Sequence, residues 1–96
     1  MTDRLSGRIA IITGASSGIG AAVARAFAAE GARLVLAARR RERLQELADE
    51  LGPADVRICP TDVTDEGQVK TLFAQAGEMG PVDLLVNNAG ATTHGS

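Results

Sequence analysis

Short apolar runs alternate along this chain with segments whose apolar residues recur at helical spacing. The first run, Arg8 to Thr13, holds Ile9-Ala10-Ile11-Ile12; Leu34-Val35-Leu36-Ala37, Val56 to Cys59 and Leu84-Leu85-Val86 follow. They do not alternate polar with apolar positions, which is how strands read when a parallel sheet is covered on both faces. Between the first two runs the spacing predicts a helix from about Gly18 to Glu30, with Ile19, Ala22, Val23, Ala26 and Phe27 on one face and Gly31 as its stop. A second helix is predicted over Arg41 to Leu51, with a stripe of Leu44, Leu47, Ala48 and Leu51, ended by Gly52-Pro53. A third opens with Thr64 or Asp65 as its cap and an acidic first turn. Its apolar face is Val69, Leu72, Phe73 and Ala76, and Gly80-Pro81 closes it.

The order β-α-β-α-β-α-β predicts an α/β fold. With right-handed crossovers it is one half of a doubly wound Rossmann sheet, four parallel strands with three helices, in a single domain over residues 1–96. The fourth strand then forms an apolar edge with unpaired backbone groups, which folded proteins usually cover. The expectation is an incomplete unit, the N-terminal portion of a longer protein. A second copy covering that edge is the alternative.

Composition narrows this only slightly. With two Phe and neither Tyr nor Trp, the core must be built from Ala, Val, Ile and Leu. A net charge of -2 argues against nucleic acid or a membrane surface as partner. The single cysteine, Cys59, excludes an internal disulfide and reads as a buried strand residue in a reducing compartment. No apolar run approaches the ~20 residues of a membrane helix, and Met1 to Arg8 has no signal-peptide core, so a cytoplasmic location is expected. No metal-ligand spacing is present, and His94, the only histidine, sits in a Gly/Thr/Ser tail.

The candidate chemistry begins where the first strand meets the first helix, at Thr13-Gly14-Ala15-Ser16-Ser17-Gly18-Ile19-Gly20. A glycine-rich turn there sets bare N–H groups and a helix N-terminus against one point, a seat for phosphate or pyrophosphate. Taken alone, it is also an ordinary tight connection. A dinucleotide site usually carries an acid about 20 residues further on, for the ribose 2′-hydroxyl. Here the chain reads Ala37-Ala38-Arg39-Arg40-Arg41. Cations at a helix N-terminus oppose its dipole by roughly 0.3–1 kcal/mol each when exposed. A bound anion explains the inversion; a ribose 2′-phosphate fits, with Arg39 best placed at the strand end and Arg40 beside it. The alternative is a solvated charge run partly balanced by Glu42 and Glu46. Asp62-Val63, after the third strand, offers an acceptor for an adenine amino group, or merely a capping Asp. Asn87-Asn88-Ala89-Gly90, after the fourth, lets a ligand pass close to the backbone, or is an ordinary turn.

Together these segments resemble the short-chain dehydrogenase/reductase family from Gly7 to Gly90, with its Thr-Gly-x-x-x-Gly-x-Gly turn complete at Thr13 to Gly20 and its Asn-Asn-Ala-Gly motif at Asn87 to Gly90. The extended relatives, sugar epimerases and dehydratases, have a differently spaced turn. The resemblance implies that Gly14, Ser16, Ser17, Gly18, Ile19 and Gly20 contact the pyrophosphate and adenosine ribose. It implies that Arg39, with Arg40, marks a preference for NADP(H) over NAD(H), and that Asp62 and Val63 bind adenine. Asn88, Ala89 and Gly90 lie along the adenosine, Asn88 also bracing the sheet. A small carbonyl or alcohol substrate and a homo-oligomer are implied for the full-length protein. The family's catalytic Ser and Tyr-x-x-x-Lys are absent, since the chain has no tyrosine and its one lysine, Lys70, is mid-helix. These residues alone are expected to hold a cofactor without turnover. A non-catalytic NADP(H)-binding module and a non-functional truncated product are the alternatives.

Overall fold

Two central strands carry the core. β1 (Ile9–Thr13) is buried at every position, and β2 (Arg33–Ala38) at every position but its first. The computed structural model describes residues 4–52 and 54–88. Around these strands stand α1 (Gly18–Ala29), α2 (Arg41–Leu51), β3 (Val56–Pro60), α3 (Glu66–Met79) and β4 (Val82–Asn87). All strand pairs are parallel, in the order β3-β2-β1-β4. Residues of β1 and β2 point alternately to two covered faces, which is why neither strand alternates in sequence. Ala10, Ile12, Leu34 and Leu36 meet Ala24 of α1 with Leu44 and Leu47 of α2 on one face. Ile11, Val35, Ala37 and Cys59 meet Leu72 and Ala76 of α3 on the other.

The predicted elements are all present, and α2 has the expected limits. Asp65, rather than Thr64, caps α3, its carboxylate accepting the Gln68 N–H at 3.2 Å. Cys59 is buried as expected. The face of α1 needs correction. Ile19, Ala22 and Ala26 are exposed, Ile19 by 69%, while Gly20 and Ala24 are the buried pair. The helix turns its smallest residues to the sheet because it sits so close to the turn before it. A Cβ on Gly20 would lie 2.2 Å from the Gly14 carbonyl oxygen. The five apolar positions chosen from periodicity are therefore mostly not the buried ones. Phe73 on α3 is likewise 42% exposed.

The expectation of two covered faces also fails at the outer strands. β4 alternates half-buried and exposed positions, with Leu85 51% exposed. Leu84 and Val86 pack on the α1/α2 face, whereas Leu85 shares the face of its partner Ile11, at a side where α3 does not cover it. The register of β1 and β4 slips between Ile9 and Ala10, and the Asp83 carboxylate accepts the Ile9 N–H at 3.0 Å there. A side chain thus satisfies a backbone donor at the slip in the ladder.

Three ion pairs stitch the amino-terminal side: Arg25–Glu50 joins α1 to α2, Arg33–Asp55 joins β2 to the loop before β3, and Arg57–Glu78 joins β3 to α3. No helix among the described residues is long and apolar enough to cross a membrane. The seating of α1 is open to test. Gly20→Ala should lower stability by about 1–3 kcal/mol or more, the range for forcing an atom into a packed contact, read from the urea midpoint. An unchanged midpoint would show that α1 can back away freely.

Candidate dinucleotide site

The strand order reverses beside β1. The chain runs outward through β2 and β3, then returns to place β4 on the opposite side of β1. In open parallel sheets the crevice at the carboxyl ends, where the order reverses, is where ligands bind. Register brings four strand ends to that level: Thr13 is paired with both Ala37 and Asn87, and Ala37 with Cys59.

The turn after β1 is shaped by its own backbone. Gly14 has φ +63°, in the left-handed region that favours glycine. Ser17 caps α1: its hydroxyl accepts the Gly20 N–H at 3.1 Å and donates to the Gly14 carbonyl at 2.9 Å. The N–H groups of Gly18 and Ile19 have no partner within the helix, as its first turn dictates. Both residues are exposed. Gly18 differs from its neighbours, because its φ is not positive and an added Cβ would meet nothing within 4 Å. Nothing in the described fold requires glycine there.

Asn88 ties β4 to this turn. Its Nδ2 donates to Ser17 Oγ at 2.8 Å and to the Gly14 carbonyl at 3.2 Å, and its N–H donates to Thr13 Oγ1 at 3.0 Å. The Thr13 hydroxyl shares its proton between Asn87 Oδ1 at 3.1 Å and the Val86 carbonyl at 3.3 Å. The two sides of the switch point are thereby locked together, 71 to 75 residues apart in sequence.

On the other side of the turn lies an open cavity of about 920 Å³, which Gly14 and Ser16 share with Arg39, Arg40, Asp62 and Val63. That size is in the range of small-molecule sites. Asp62 is held by Thr64, which donates its N–H at 2.9 Å and its hydroxyl at 2.6 Å to the same carboxylate oxygen. The Thr64 hydroxyl is the largest cause holding the Asp62 carboxyl below its ordinary range. The Thr64 N–H comes next and the Arg39 charge contributes least, while partial burial opposes them. Asp62 is therefore an ionised acceptor at neutral pH. Its own N–H donates to Gln68 Oε1 at 2.8 Å, fastening the loop to α3.

The predicted residues thus separate into three groups. Gly14, Ser16, Arg39, Arg40, Asp62 and Val63 share the cavity. Ser17, Gly18, Ile19 and Gly20 form the adjoining start of α1, with Asn88 bonded to it. Ala89 and Gly90 lie outside the described residues. Four lining residues, Ala38, Thr61, Thr64 and Arg43, are not among the predicted ones, and two of them carry a readable signal. Thr64 reads as a helix cap, although a hydroxyl two residues after an Asp is the signal of a local turn. For Arg43 the signal is a cation in the first turn of a helix. Among the described residues no group of three or more His, Cys, Asp or Glu is gathered to hold a metal.

A parallel sheet with a glycine turn, a cation-lined cavity and a held carboxylate at its switch point is the arrangement of a dinucleotide-binding α/β domain. The family model described as short chain dehydrogenase matches residues 8–96, and the chain belongs to that family. It is 54% identical over 89 residues to the glycine betaine reductase of Emericella nidulans, covering 90% of this chain and 7% of that protein. It is 48% identical over 91 residues to an uncharacterized oxidoreductase of Staphylococcus haemolyticus, covering 94% of this chain and 39% of the relative. The L-sorbose reductase of Gluconobacter frateurii, solved in complex with NADPH and L-sorbose, superposes with a TM-score of 0.87 at 42% identity. That match covers 94% of this chain and 36% of the reductase. The chain thus spans two fifths or less of the length of these relatives.

The brace on Asp62 can be checked by titration. Thr64→Val should raise the Asp62 midpoint toward the ordinary carboxylate range, read from the side-chain carboxyl ¹³C shift against pH. In the native chain, a depressed carboxyl contributes stability that is full above the ordinary midpoint and is lost as pH falls through its own lower one. The variant should lose the share of that acid-labile part that the hydroxyl supplies and keep the share of the residue-64 N–H. An unmoved midpoint would mean that the hydroxyl is not what holds the charge.

Proposed function

We propose that this chain binds NADP(H) in preference to NAD(H), as the cofactor-binding part of a short-chain oxidoreductase acting between a carbonyl and a secondary alcohol. The observation that carries the reading is the cavity beside the glycine turn, where Arg39 and Arg40 face the crevice without an ion-pair partner among the described residues. An acid at this position would accept from a ribose 2′-hydroxyl; guanidinium groups suit a 2′-phosphate instead. The residues present fit such a cofactor. Gly18 leaves open space where its Cβ would stand, beside the free N–H groups that open α1. Asp62, an ionised carboxylate held in place by Thr64, accepts a hydrogen bond from an exocyclic amino group, and the exposed Val63 gives an apolar surface beside it. The L-sorbose reductase complex, which contains NADPH, supports the same choice of dinucleotide.

When bound, the nicotinamide supplies or receives the hydride. The residues of this chain orient the adenosine end and neutralise its phosphates. Proton transfer to a carbonyl needs a positioned acid. The chain holds no tyrosine, and Lys70 is exposed on α3, so these residues bind without turnover.

Two substitutions test the reading. Arg39→Asp should weaken NADPH binding roughly tenfold or more, the worth of one charge-assisted contact, and NADH binding far less, by fluorescence titration. Equal losses for both would sink the 2′-phosphate assignment. Gly18→Val should leave the chain folded, since its side chain meets open space, yet abolish binding of both cofactors. Unchanged affinity would mean that the turn serves the fold alone.

A further inference from the structure

The arginines that open α2 share one shallow concavity, but not all of them reach the larger cavity beside it. Arg40 is the N-cap, Arg41 the first helical residue and Arg43 the third. Arg39, Arg40 and Arg43 line the cavity that holds Gly14 and Asp62, whereas Arg41 does not. Arg41 lies on a neighbouring concavity of about 500 Å³, which Arg39, Arg40 and Arg43 also line together with Glu42 and Glu46. These two carboxylates balance the run in sequence, but neither lines the larger cavity. Its wall therefore presents three guanidinium groups against one carboxylate, and that carboxylate is engaged by Thr64.

The helix itself gains nothing from this arrangement. Its N-cap has no side-chain hydrogen bond. Its third position, where Glu or Gln would complete a capping box, is Arg43, against the dipole. Arg43 also forms no ion pair among the described residues. A phosphomonoester carries close to two charges on three peripheral oxygens, more than one bidentate guanidinium satisfies. Arg39 reaches the cavity from the end of β2, and Arg43 from one turn into α2, so the two approach from different backbone levels.

We propose that Arg43 is a specificity-determining residue of this site, the second guanidinium on the ribose 2′-phosphate, opposite the one supplied by Arg39. The assignment rests on the reading above that the cavity takes a 2′-phosphorylated adenosine. It makes Arg43 a discriminator between the two dinucleotides and leaves Arg41, two residues earlier, without a part in that choice.

The test compares adenosine 2′,5′-bisphosphate with adenosine 5′-monophosphate, which differ only at the 2′ position, by calorimetry on the chain and on Arg39→Gln, Arg41→Gln, Arg43→Gln and Arg43→Lys. Arg43 is exposed, so its variants should keep the fold, checked by circular dichroism. Arg43→Gln is expected to lose roughly tenfold in affinity for the bisphosphate and little for the monophosphate. Arg41→Gln should change neither, and Arg43→Lys should recover part of the loss, keeping the charge without the planar fork. If Arg39→Gln discriminates between the ligands and Arg43→Gln does not, the role of Arg43 is overturned and the 2′-phosphate reading stands. If Arg41→Gln costs as much as Arg43→Gln, the attraction is diffuse and the proposal falls. If neither Arg39→Gln nor Arg43→Gln discriminates, or the unaltered chain binds both nucleotides alike, the reading and the proposal fall together.

Discussion

Everything in this molecule is arranged around the complete burial of β1. Its five residues are covered on both faces, and both of its edges are paired, with β2 and with β4. A strand in that position can carry no charged side chain and leave no backbone group unpaired without large cost. Polar chemistry is thereby excluded from its length and pushed to its carboxyl end. There Thr13 and Gly14 leave the sheet, and the hydroxyl, carbonyl and N–H groups of the turn become available. The loops after β2, β3 and β4 reach the same level because the parallel register brings them there.

The glycines of the turn divide the work of making that end usable. Gly14 bends the chain through a left-handed conformation, and Gly20 lets α1 close onto the carbonyl that the bend exposes. Gly18 does neither, and the space it leaves faces solvent. Two glycines are thus explained by the protein's own atoms and one is not. The same contrast holds for charge. Toward the amino-terminal side of the sheet, Arg25, Arg33 and Arg57 are each matched by a carboxylate, whereas Arg8 forms no ion pair among the described residues. Arg39, Arg40 and Arg43, at the carboxyl ends, form no ion pair among the described residues, although the Arg39 charge acts on Asp62.

Much of this was legible in the chain itself. Apolar runs without alternation gave the two central strands, because burial on both faces leaves no polar position in them. The leucine stripe and the stop at Gly52 placed α2, since both act over short stretches of backbone. The turn and the arginine run were visible because they depend on neighbours in sequence. What periodicity misjudged was which side of α1 meets the sheet. It selects bulky apolar residues, and the contact there admits only Gly20 and Ala24. The run holding Leu85 likewise lacks alternation, yet Leu85 is half exposed, because whether a strand residue is covered depends on what packs over its face.

The sequence by itself determined the alternation of strands and helices, the glycine-rich turn and the inverted charge after β2, all set by backbone geometry and side-chain chemistry over a few residues. Only the tertiary structure decided that β4 returns beside β1, that Asn88 bonds to Ser17 across 71 residues, and that Thr64 fixes the charge of Asp62. It also decided which arginines share a wall with Asp62 and which do not. The physical reason is common to all of these. They depend on the direction in which side chains leave elements that packing has already placed, and that direction is set by the whole core rather than by any local segment.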